Sequence, residues 1–190
     1  MALRRIVEPE PLFEPEHAKV HCRIDSESEI EDGYLEHLIR AATDFCEKWQ
    51  RRAYRTQTWE LYLDGWPVQP WIRIDVSPLQ SARVFYYDTE NVQHEFTHFD
   101  IDPVSEPGYV LLRPGASWPS IGLRSGNGVR VEFVCGYGEP DDVPSSMVHC
   151  VALMLSHLYE NREPIETGGR NIGEIPFSLR SLLNQNKVYI

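Results

Sequence analysis

At residue 56 the apolar spacing of this chain switches from three-and-four to two, and near Pro144 it switches back. No single layer satisfies both periods, so the sequence demands helices at its two ends and strands between them. Before the switch, Ile30, Tyr34, Leu35, Leu38, Ile39, Ala42, Phe45, Cys46 and Trp49 recur at helical intervals. Ser26 or Ser28 can cap that helix, and Glu29 and Glu31 suit its first turn. Lys48, Arg51 and Arg52 suit its negative end. A shorter helix is expected from Pro15, a favoured first helical position, to about Cys22. Residues 1–14, rich in Pro and Glu, read as an extended arm.

Between the switches, six short stretches alternate: TWELYLDGW, WIRIDVSP, ARVFYYD, HEFTHFDI, YVLLRP and NGVRVEFVCGYG. Pro and Gly clusters part them, which points to a small antiparallel barrel or sandwich. Residues 113–128 form the longest irregular stretch and are expected at the surface. After Pro144, MVHCVALMLSHLYENRE is apolar nearly all round in its first half, so burial on several sides or between subunits is expected. Pro176 opens a last short helix, with Phe177, Leu179, Leu182 and Leu183 apolar, and the ending Lys187-Val188-Tyr189-Ile190 reads as strand-like. The fold class is therefore α+β. A small helical bundle is built from residues 15–53 and 143–184, an antiparallel β region (54–142) is inserted between them, and residues 185–190 form a tail.

Charge narrows the function. The net charge is −11 and evenly spread: 8 basic against 12 acidic side chains in residues 1–53, 6 against 10 in 54–138, and 4 against 7 in 139–190. The basic cluster Lys48, Arg51, Arg52 and Arg55 is short, and a phosphate-gripping protein needs a basic face. No stretch approaches the roughly 20 apolar residues of a membrane helix, and the start has no signal-peptide pattern. Cys22, Cys46, Cys135 and Cys150 are widely spaced. They read as buried free thiols of a reducing compartment, with two disulfides as the alternative.

No catalytic constellation emerges, and no cofactor or metal is required. His17 and His21 have a zinc-compatible spacing with Cys22 adjacent, yet no third ligand stands at a telling distance; solvent-facing histidines are the ordinary reading. His94 and His98 could share a strand face. His149 reads as a buried histidine satisfied by a hydrogen bond, and His149 and His157 are too far apart on one helix to chelate together. GxSxG and GxxxxGK[ST] are absent. The aromatics of the β region (among them Trp59, Trp66, Trp71, Phe85, Tyr86 and Phe96) fit a core or an interface. A carbohydrate platform, as a binding or hydrolytic module, is the competing reading.

Several ordered motifs carry a resemblance. EHAKVHCRID is similar to an opening "EAKxHLR" helix. LIRAATDFCEKWQRRAYRTQTW is similar to a second helix running into a first strand, and VSPLQSARVFYYD to a "PLQSV…YxD" strand pair. VEFVCGYGEPDDVPSSMVHCVALMLSHLYENRE matches a strand, "GYG", "VP" and a long helix ending in "LYENRE", and PFSLRSLL a final "PF…LL" helix. Together they resemble the head–tail connector (adaptor) proteins of long-tailed bacteriophages and gene transfer agents. The N-terminal extension is longer than that pattern, and NQNKVYI replaces its Arg-rich tail.

The resemblance implies a structural virion protein made in the bacterial host cytoplasm and located in the neck between capsid and tail. It implies a homo-oligomeric ring of about a dozen subunits, bound beneath the portal protein and extending its DNA channel without sequence-specific DNA binding. The ring offers a platform to the next connector, on the stopper or tail-terminator side, and so takes part in head completion and genome ejection. The contact residues it suggests are Leu182, Leu183, Asn186, Lys187, Val188, Tyr189 and Ile190, docking by β-augmentation or groove insertion. Tyr159, Asn161 and Arg162 close the family-like helix, where Arg162 could bond terminal carbonyls. Uniform acidity suits a channel in which DNA must slide.

Overall fold

The computed structural model describes residues 1–24, 32–161 and 175–189. Among them the elements run β1 (Ala2–Val7), α1 (Pro15–Cys22), α2 (Asp32–Gln50), β2 (Gln57–Leu63), β3 (Trp71–Ile74), β4 (Leu79–Tyr87), β5 (Gln93–Phe96), β6 (Phe99–Asp102), β7 (Gly108–Leu112), β8 (Val129–Cys135), α3 (Ser145–Glu160) and α4 (Phe177–Gln185). The class is α+β, as the two periods require. Two compact units divide the described residues. A β unit holds 1–9, 56–137 and 188–189, and a helical unit holds 10–55 and 138–187.

The β unit contains two antiparallel sheets rather than a closed barrel. One has strand order β1-β2-β8-β4-β5 and the other β3-β7-β6. Strand β8 alternates strictly, with Val129, Val131, Phe133 and Cys135 buried. Its neighbours follow in register: Leu61 and Val84 both pair with Val131. The sheets meet where β7 crosses β4. A Cβ on Gly108 would stand 2.8 Å from that of Leu79, so only glycine permits the approach.

Three expectations become specific here. Within the extended arm, residues 2–7 form an edge strand on β2. HEFTHFDI is two strands, because the chain bends at His98 and passes from one sheet to the other. The irregular stretch 113–128 is anchored: Trp118 Nε1 donates to the Gln69 carbonyl at 2.9 Å, and Arg124 stacks 3.8 Å from the Tyr87 ring while donating to Asn91 Oδ1.

In the helical unit, α2 buries Leu35, Leu38, Ile39, Ala42 and Cys46, the stripe its periodicity marks. The capping serines expected for it lie outside the described residues. Helix α3 buries Met147, Cys150, Val151, Met154 and Leu155, while Val148, Ala152 and Leu153 remain half-buried and His149 is exposed. Burial on several sides is thus not reached within one chain. Lys19, 3% exposed, pairs with Asp32 at 2.6 Å and ties α1 to α2.

Candidate interaction surfaces

The end of the helical unit is organised by polar side chains. Tyr54 N–H donates to Glu47 Oε1 at 2.7 Å, and Tyr54 Oη donates to Gln50 Oε1 at 2.6 Å. Gln50 Nε2 in turn donates to the Leu183 carbonyl at 3.1 Å, and Arg52 Nε donates to the Asn186 carbonyl at 2.5 Å. The final carbonyls of α4 have no intrahelical donors, so the end of α2 supplies them. Trp49 Nε1 donates to Asn184 Oδ1 at 3.0 Å, Asn186 Nδ2 donates to Ser146 Oγ at 3.2 Å, and Lys187 Nζ lies 5.4 Å from the Trp49 ring.

These bonds place the tail residues singled out by sequence. Leu183 is fully buried and Leu182 half-buried. Asn186 and Lys187 contact the body of their own unit, Val188 is buried, and Tyr189 is 72% exposed. The strand expected over residues 187–189 is absent, and Ile190 lies outside the described residues. At the end of α3, Asn161 turns back so that its Nδ2 donates to the His157 carbonyl at 2.7 Å, and the Tyr159 ring lies 6.4 Å from that of Tyr34. Asn161 thereby caps the helix by side chain, and Arg162 lies outside the described residues.

The same unit has a groove of about 800 Å³. Leu12, Phe13, Val148 and Ala152 give it apolar walls; Glu10, Glu14 and Asp141 add carboxylates, and His17, His21, His149 and Arg55 add nitrogen donors. The buried histidine expected at position 149 is in fact an exposed groove residue, because that position lies off the buried stripe of α3. Its ring meets that of His21 edge-on at 6.4 Å. Among the described residues no three His, Cys, Asp or Glu side chains are arranged to hold a metal ion.

The basic cluster is largely engaged. Lys48 pairs with Asp44 at 3.3 Å, Arg55 bonds Glu139 and the Pro11 carbonyl, and Arg52 is buried. The aromatics of the β unit pack on one another. Trp66 stacks on Trp118 at 4.9 Å, and Phe96 lies 5.4 Å from Trp118 and 5.6 Å from Trp66. Such mutual stacking leaves these faces unavailable as a sugar platform. His94 and His98 are separated by the bend, and His94 Nε2 bonds Asp88 Oδ2 at 2.8 Å. That bond, with Val92 and Glu90 N–H donors, holds the Asp88 carboxyl below its usual range. All four cysteines are free. Burial raises the pKa of the Cys22, Cys46 and Cys150 thiols, which favours their protonated form.

No protein-family model and no curated protein matches the chain. Solved structures do. A chain from a structure described as the neck of an empty GTA particle computed with C6 symmetry aligns over 100% of this chain and 97% of its own, at a TM-score of 0.85 and 19% identity. A chain from the virion of a native gene transfer agent (GTA) particle aligns with the same coverage, at 0.83 and 18%. One from the neck of a native GTA particle computed with C12 symmetry aligns at 0.76 and 19%. At that identity the likeness establishes a shared fold from end to end.

The buried polar network escaped sequence reasoning. Its only signal is the polar set Glu47, Gln50 and Arg52 at a helix end whose cations the sequence assigns to the helix dipole.

Proposed function

We infer that this chain is a structural subunit of the neck of a phage-like particle, an adaptor that forms a ring beneath the portal and passes the DNA channel on to the next connector. The full-length fold match to neck chains is the observation that carries this reading. Three features of the molecule support it. Val148, Ala152 and Leu153 of α3 are only partly covered within one chain, which leaves apolar surface for a neighbour to complete. Arg52 and Arg55 of the cationic cluster are bonded internally while net charge stays at −11, which suits a wall along which DNA slides. Among the described residues, no helix is long and apolar enough to cross a membrane. The role is structural rather than catalytic. Portal contact falls to the exposed end of the tail, Tyr189 above all.

The test is co-purification with the portal protein of the same particle. Deleting residues 184–190 would also remove the Asn184 and Asn186 bonds, so the informative variant is Tyr189→Ser, which leaves them intact. The unsubstituted chain is expected to bind portal and Tyr189→Ser to bind at least about tenfold more weakly. Failure of the unsubstituted chain to bind any portal assembly would reject the adaptor role.

A further inference from the structure

A closed ring of identical subunits needs two unlike patches on each body, one entering the other on the next copy. The helical unit displays such a pair. Phe177, the first residue of α4, is 88% exposed, more than Val20 at 79% or Tyr34 at 36% in the same unit. Arg180 follows three positions later, also exposed, so the two side chains share one helix face. Their complement would be an apolar pocket edged by carboxylate. The groove supplies it: Leu12, Phe13, Val148 and Ala152 form apolar walls, Glu14 and Asp141 stand beside them, and the Arg55 of its lining is already paired with Glu139. The exposure of Phe177 shows that it does not fill the groove of its own chain.

We propose that the first turn of α4 in one copy seats in this groove of the next, with Phe177 against the apolar walls and Arg180 facing Glu14 and Asp141. The occupant is a second copy of this chain, since an exposed apolar and cationic patch and an apolar groove with carboxylates lie on one body. This inference rests on the ring reading above.

The test uses full-length protein assembled in particles. Neck images first establish that a ring is present. Phe177→Cys and Val148→Cys are then combined in one chain, and particles are treated with a short bis-maleimide. A ladder of covalent oligomers of this chain is expected from the double variant, and none beyond the unsubstituted background from either single variant. A visible ring that yields no ladder overturns the proposal while leaving the adaptor role standing. Cross-linking of position 177 to a different neck protein also overturns it. Particles with no ring of this chain defeat the adaptor role and this contact with it. In a second experiment, Arg180→Glu is expected to lower ring assembly about tenfold, with recovery when Glu14→Arg and Asp141→Arg are added. Undiminished assembly of Arg180→Glu would overturn the pairing.

Discussion

The sheet of the β unit is held by contacts between strands whose alternation is written locally, residue by residue, as in β8. The helical unit is made of two distant pieces of chain, and its decisive bonds join residues 133 to 135 positions apart. The first kind of order pairs much of its own polar surface. Its charges pair across strands, as Arg130 with the buried Glu60 at 3.1 Å and Arg83 with Glu95 at 3.2 Å, and Phe85 is covered by the guanidinium groups of Arg83 and Arg130. The second kind leaves surface unspent. An open groove, the exposed Phe177 and a half-covered α3 all belong to the helical unit. The groove and the exposed Phe177 thus lie where folding depends on long-range polar bonds, while the exposed Tyr189 belongs to the β unit.

This contrast can be broken at its strongest point first. Phe133, 1% exposed at the centre of β8, is expected to cost about 3–5 kcal/mol when changed to alanine, read by chemical denaturation. A loss below 1 kcal/mol would show that the sheet does not depend on that layer. Gly108→Ala should cost about 1–3 kcal/mol, because the new methyl meets Leu79 at 2.8 Å. An unchanged midpoint would mean that the two sheets yield there. In the helical unit, Gln50→Leu leaves the Leu183 carbonyl and the Tyr54 hydroxyl short of a partner. About 1–3 kcal/mol should be lost, with hydrogen exchange rising in α4 and not in β8. Equal exchange in both would erase the distinction between the units.

Smaller effects sharpen the picture. Cys22 is half-buried and the other thiols are buried, so a maleimide should label Cys22 first and slowly, and the others only with denaturant. Rapid labelling of Cys46 in the native protein would contradict the packing of α2. Asp88 has a depressed pKa, so its contribution to stability is complete above the ordinary value of 3.8. It is lost as pH falls through the lowered one. Asp88→Asn should therefore lower the melting temperature slightly at pH 7, with the difference from the unsubstituted chain vanishing in stronger acid. A difference that grew in acid would reverse the sign.

How much was legible in the sequence follows the same divide. The α2 stripe and the β8 alternation were readable because each is a local period. Strand β1 was not, since Arg4 and Arg5 interrupt its apolar residues and its identity comes only from pairing with β2. The cover over α3 is not legible locally, because composition shows how apolar a helix is and not how much of it one chain can cover. The intramolecular contacts of Asn186 and Lys187 are equally hidden, since their partners Arg52 and Trp49 lie far back in the chain and no local pattern announces them. The groove is likewise a product of assembly, drawing on residues near 12, 55, 141 and 148.

The measurement that bears most directly on the account is electron cryo-microscopy of particles containing this protein, reconstructed at the junction of capsid and tail. The account predicts a closed ring of this chain in the neck, in contact with the portal. Intact necks whose rings are built entirely from other chains, with this one absent, would contradict it.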